Sequence, residues 1–181
     1  MTTSNMQAAG QRGRSSRKAL AWGSAMLLAC LACGAADAAT TSTTFSVNAT
    51  VLASCAISAT NLNFGNYDPG SATPDDATST VSVQCSTGTS YAVSLDAGTT
   101  SGSTLTSRNM SDGIASTLNY QLYTDAAHTT VWGDGSGSTL TNSGVGTGSS
   151  SQDYTVYGRV PISQFVTSGA YSDTITATVS Y

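Results

Sequence analysis

The feature that most constrains this chain is a period-two alternation of apolar and polar residues that returns along its length, with no helical period to compete with it. Phe45, Val47, Ala49 and Val51 alternate with Ser46, Asn48 and Thr50. The same spacing governs residues 81–85, 91–95, 118–122, 154–160 and 175–181. Successive side chains of a strand point to opposite faces, so such runs build sheets with one apolar face. Turn formers separate the runs. Asp68-Pro69-Gly70 and Asp112-Gly113 combine a residue that fixes φ with one that accepts φ > 0. Residues 132–137 and 143–151, rich in Gly and Ser, read as exposed loops. Short strands at this spacing predict an all-β domain built as an antiparallel sandwich.

The first residues obey a different rule. Arg12, Arg14, Arg17 and Lys18 precede an apolar run over residues 19–33, and Ala36-Asp37-Ala38 fits an A-x-A cleavage site. That order is a secretory signal peptide, assigned to residues 1–38. The run is shorter than the roughly 20 residues a membrane span needs. A lipid-attachment box at Leu27-Leu28-Ala29-Cys30 is the competing reading. It is the weaker one, because Leu28 fits it badly and the A-x-A site lies downstream. The expected mature chain divides into an N-terminal segment, 39–53, and one domain, 54–181.

Losing the leader removes every basic residue but Arg108 and Arg159, whereas all acidic residues except Asp37 remain. A chain so acidic has no electrostatic footprint for nucleic acid or an anionic membrane. Cys30 and Cys33 leave with the leader, and Cys55 and Cys85 stay. An even pair in an exported chain implies one disulfide in an oxidising compartment. Closing a loop of about 30 residues contributes about 3.6 kcal/mol by chain entropy. Cys85 shares phase with Val81 and Val83, so its sulfur is expected to point into the apolar layer as a buried structural bridge.

No catalytic constellation is legible. His128 is the only histidine, a surface or turn residue by its neighbours, and one imidazole alone makes neither a metal site nor a triad. Asp75-Asp76 reads as a solvated loop, since adjacent side chains face apart. Asp134-Gly135-Ser136-Gly137 lacks the further carboxylates of a calcium loop. Trp132 and the tyrosines are more economically core than sugar site. The expectation is a protein that is not an enzyme and carries no cofactor.

Several short motifs, in order, resemble one family. They are Val51-Leu52-Ala53-Ser54-Cys55, Asn61-Leu62-Asn63-Phe64-Gly65-Asn66-Tyr67, Val81-Ser82-Val83-Gln84-Cys85, Leu118-Asn119-Tyr120-Gln121-Leu122-Tyr123, Val131-Trp132-Gly133-Asp134-Gly135, and residues 154–161 and 169–175. This series is similar to the spore coat protein U domain family, the pilins of the archaic chaperone–usher pathway. The resemblance implies an incomplete immunoglobulin-like antiparallel β-sandwich completed by donor-strand exchange. It also implies partners: a periplasmic pilus chaperone, an outer-membrane usher and neighbouring pilin subunits. The chain would then be exported through the periplasm to a surface pilus or coat fibre supporting adhesion and biofilm formation.

On that reading Phe45, Val47, Ala49 and Val51 form the donor strand, and Ile175, Ala177, Val179 and Tyr181 the edge of the acceptor groove. The last run ends with the sequence, so no later strand is expected to close the sheet. Residues 43–51 have a second reading, as the first strand of their own domain. The stretch before Cys55 is short for both roles. The alternative function is a binding module, either a fibre-tip adhesin or a secreted carbohydrate-binding sandwich.

Overall fold

The computed structural model describes residues 38–181. The leader expected over 1–38 lies outside them apart from Ala38, as do Cys30 and Cys33. The chain divides into two units, Met1–Val47 and Asn48–Tyr181. In the first, residues 38–47 are exposed and form neither strand nor helix. In the second, residues 48–54 are likewise exposed, and everything ordered after them is β.

Eight strands follow: β1 (Cys55–Ala59), β2 (Asp75–Cys85), β3 (Ser90–Leu95), β4 (Arg108–Ser111), β5 (Thr117–Tyr123), β6 (Asn142–Val145), β7 (Gln152–Val160) and β8 (Ala177–Ser180). They form two sheets, in the orders β1-β2-β7-β5-β4 and β6-β3-β8. Every pairing of named strands is antiparallel. The expected all-β sandwich is therefore present. Val81 and Val83 of β2, Val93 of β3 and Val160 of β7 are among the residues that fill its core, with Trp132 buried between them. The indole N–H donates to Val93 O at 3.0 Å, so the one polar atom of that ring is satisfied inside.

Cys55 and Cys85 are bonded and stand opposite each other in the β1–β2 register. Cys85 is buried and Cys55 half-buried. Thus the first residue of the edge strand is tied covalently to its neighbour.

Several expectations are corrected. Residues 43–51 belong to no strand, and the first strand is Cys55–Ala59. Asp75 and Asp76 open β2 instead of lying in a loop, and Asp76 accepts both arms of Arg159 at 2.7 Å. Residues 142–145 are β6, overlapping the loop expected over 143–151, and Trp132 is fully buried, which agrees with its reading as a core residue and not with an exposed 132–137 loop. His128 does sit in a turn, at φ 56°, but its side chain is tucked between Tyr123 and Tyr157 and is only 8% exposed.

Arg108, one of the two basic residues outside the expected leader, is fully buried. Its guanidinium donates to the carbonyls of Asp96, Leu105 and Trp132 and to the Gln121 side-chain oxygen. Burial pulls its pKa down, and the nearby Tyr120, Asp96 and Asp173 pull it back. A buried cation is tolerated when its donors are satisfied. Here they stitch β4 and β5 to the Asp96 loop, which in turn holds one lip of the site described next.

Candidate functional site

Four strands end their sheets without a neighbour on one side, and two of these border the site: β1 in the larger sheet and β8 in the smaller. The two face each other, with Cα atoms within 8 Å, yet they are not paired. Which backbone groups each leaves free follows from the register. Ser86 N–H donates to Ser54 O and Thr60 N–H to Thr80 O, both at 2.9 Å. Hydrogen-bonded pairs alternate in an antiparallel ladder. The even-numbered residues of β1 therefore bond β2, and the amides and carbonyls of Cys55, Ile57 and Ala59 point to the open side. On β8, Asp96 N–H donates to Thr176 O at 3.1 Å. Thr178 and Ser180 therefore face β3, and Ala177 and Val179 present their main chain to the gap.

A groove of about 560 Å³ begins at these edges, at Ala59 of β1 and Ala177 of β8, and continues between residues 60–64 and 171–175. One lip is residues 59–64 and the other residues 171–177. Val81, Leu122 and Val156 lie in its floor, with Leu95 on the opposite sheet. Ile175, Ala177 and Val179 are half-buried against the core, while Tyr181 is 62% exposed and stands outside it. Only Ala177–Ser180 of the expected edge is regular strand.

The second lip is held by side chains more than by a ladder. Asp173 accepts from the amides and hydroxyls of Thr99 and Thr100 at 2.9–3.2 Å and from the Tyr120 hydroxyl at 2.7 Å. Burial pushes its carboxyl pKa up, but the hydrogen bonds from Tyr120, Thr174 and Thr100 win and hold it below the usual value. Burial, and then the bond to Asp173, push the Tyr120 phenol well above its ordinary range. The chain therefore keeps a charged acceptor and a neutral donor side by side, which is what a fixed hydrogen bond requires. Asp96 adds its Oδ1 to the Thr176 amide at 3.0 Å.

The predicted donor residues lie on the surface. Phe45, Val47 and Val51 are each more than four-fifths exposed, Ala49 is exposed, and none is in a strand. The site is thus an apolar groove with unbonded main chain where β1 and β8 border it. Of the four residues expected at the groove edge, Ile175 and Ala177 line the cavity and Val179 and Tyr181 do not, and the opposite side was not among the expectations. Leu62 and Phe64 were legible only as part of a motif, because their inward phase is opposite to that of Cys55 and Ile57.

Among the described residues no group of three or more His, Cys, Asp or Glu side chains could hold a metal ion, and no helix is long and apolar enough to cross a membrane.

Comparison with known proteins gives three findings. The family model described as Spore Coat Protein U domain matches residues 41–178. Protein U of Myxococcus xanthus is 38% identical over 130 residues, covering 66% of this chain and 71% of the relative. Among solved structures, the CsuC–CsuE chaperone–tip adhesion subunit pre-assembly complex from archaic chaperone–usher Csu pili of Acinetobacter baumannii contains a similar chain. It aligns with a TM-score of 0.54 at 25% identity, over 73% of this chain and 40% of that one. The present chain therefore spans less than half the length of that solved neighbour.

Proposed function

The chain belongs to the Spore Coat Protein U domain family, and from that premise we propose that it is a structural subunit of a chaperone–usher fibre that polymerises by donor-strand exchange. The observation that carries this reading is the groove between β1 and β8, apolar inside and edged by unpaired main chain. An open edge of this kind is an aggregation hazard unless something covers it. A strand from another chain covers it best, because ladder hydrogen bonds and alternate side-chain pockets are then satisfied together. In the periplasm the cover would be a chaperone, and at an outer-membrane usher it would be exchanged for the 43–51 segment of a neighbouring subunit.

Inserting Phe45, Val47, Ala49 and Val51 contributes about 5–10 kcal/mol of apolar burial, Ala49 giving least. Two strand spacings amount to about 9.6 Å, whereas β1 and β8 come within 8 Å. Full insertion therefore requires the edges to part. Each subunit would offer a groove to one neighbour and a segment to another. Such a head-to-tail contact does not close on itself and produces a filament, on the cell surface or in a coat, where it would serve adhesion and biofilm formation. A fibre-tip role would leave the alternating segment 43–51 without use, which favours a shaft position.

The test is thermal unfolding of the exported domain with and without residues 43–53 joined after Tyr181 by a flexible linker. The reading predicts a large rise in Tm and a soluble monomer for the joined version. Equal stability of a monomeric domain without the added strand would end the strand-exchange reading and favour a self-contained binding module.

A further inference from the structure

The connection from β1 to β2 does not simply pass along the sheet edge. Cys55 and Ile57 of β1 turn inward, and further on it is Leu62 and Phe64 that do so, so the phase shifts between them. The shift occurs at Thr60. Its N–H donates to Thr80 O, but the Thr80 N–H donates to Thr60 Oγ1 at 2.9 Å, so a side chain takes the place of the carbonyl in the ladder. The chain is then free to leave β2.

Where it goes is shown by Gly158 on β7, two strands in from the edge. A Cβ there would stand 2.7 Å from Leu62 Cδ1 and 2.9 Å from Phe64 Cζ, so both side chains rest on bare backbone. The Phe64 ring then meets Tyr120 of β5 edge-on, with centroids 6.2 Å apart. Residues 61–64 therefore lie over the inner face of the sheet, in from the β1 edge at the level of β7. The segment is anchored on its far side. Gly65 takes φ 76° and donates to Asn63 Oδ1 at 2.8 Å, and the Tyr67 hydroxyl donates to Pro161 O at 2.7 Å while accepting from Gln164 N–H at 3.0 Å.

We propose that this arch is the end wall of the groove, and that Leu62 and Phe64 set the register of the strand that enters it. The inference rests on the strand-acceptor reading above, and its occupant is the 43–53 segment of a second copy of this chain. Leu62 and Phe64 fill the level of Gly158, which one more donor side chain would otherwise take. The donor sequence agrees with a groove of limited length. Its large apolar side chains end at Phe45 and Val51, and the next in-phase positions are Thr43, which is polar, and Ala53, which is as small as Ala49.

The experiment titrates fluorescent peptides spanning 43–53 onto the exported full chain: the natural peptide, a Thr43→Leu peptide and an Ala53→Leu peptide. Each substitution adds one in-phase apolar side chain at one end. The same peptides are titrated onto the Leu62→Ala/Phe64→Ala protein. For each protein the quantity read is the affinity of a substituted peptide relative to the natural one, so competition from the protein's own segment cancels. The peptide extended toward the wall gains nothing with the natural arch and about tenfold or more once the arch is cut back, the gain expected for burying one further leucine. Circular dichroism confirms that the variant is folded. If it is not, Phe64→Leu, which keeps an apolar side chain in place, makes the same comparison with a smaller gain. Natural peptide that binds, but with substituted peptides gaining equally on both proteins, overturns the end wall and leaves the strand-acceptor reading standing. Failure of every peptide to bind either protein overturns both.

Discussion

Residues 43–51 and β7 carry the same pattern and meet opposite fates. In β7, Tyr154, Val156, Gly158 and Val160 alternate with polar neighbours, and the strand lies between β2 and β5 with its inward residues buried. In residues 43–51, Phe45, Val47 and Val51 alternate as regularly and are almost wholly exposed. Alternation specifies a face and nothing more. A strand also needs two flanking edges and an opposing layer. The described chain supplies these to β7 and not to the N-terminal segment. What distinguishes the two regions is therefore not their alternation but whether the described residues supply flanking strands.

The sharpest way to break this comparison is to place a charge in each region. Val156→Asp puts a carboxylate among core side chains with no cation to receive it, costing about 4 kcal/mol or more, and no folded domain is expected by circular dichroism. Val47→Asp is expected to leave the Tm of the monomer unchanged within about 1 °C and to abolish heat-labile oligomers on gels. A comparable loss of Tm in both variants would mean that the segment is an ordinary strand of its own domain, and the distinction would collapse.

The fold was legible where a strand is half-buried and apolar on one face, as in β3, β5 and β7. It was illegible where something other than apolar alternation holds the strand. The Asn142–Val145 strand has no apolar stripe. It pairs with β3 through a backbone left bare at Gly144, where an added Cβ would lie 2.6 and 2.7 Å from the hydroxyls of Tyr154 and Tyr91. β4 begins with a buried arginine, which any hydropathy template scores as surface. For the groove, the period-two run that includes Ile175, Ala177 and Val179 marked one lip. The phase shift at Thr60 hid the other, because no periodic template spans a point where a hydroxyl replaces a carbonyl in the ladder. The family motif carried that lip as residue identities without a geometry.

The disulfide sharpens the same contrast at its boundary. Cys55 is the first residue after the exposed stretch and the first paired with β2, so the bridge stands where chain without partners becomes chain with them. Cys55→Ser together with Cys85→Ser is expected to lower stability by about 3.6 kcal/mol, on the order of 10 °C in Tm for a domain of this size. The loss should begin at the β1 edge. Hydrogen exchange would then show residues 55–59 losing protection while β7 keeps it. Uniform loss across both strands would place the bridge's effect on the whole fold and not on its open edge.

Between a segment that forms no strand and a strand held by two ladders lies the approach to β8, residues 171–176, held largely by Asp173 and Asp96. Asp173→Asn keeps the shape but removes the charge that Thr99, Thr100 and Tyr120 bond to, costing about 1–2 kcal/mol. Linkage makes the effect depend on pH with a definite sign. The folded-state pKa of Asp173 lies below its unfolded value. Its contribution is therefore complete above about pH 3.9, the ordinary aspartate value, and is lost as pH falls through the lower folded pKa. The gap in stability between the natural protein and Asp173→Asn should accordingly be constant from pH 7 to about 5 and narrow below 4. Denaturant melts across that range read it directly. A gap that persists undiminished at pH 2 would show that the carboxylate's charge does not hold this lip, and that shape alone distinguishes it from the unpartnered segment.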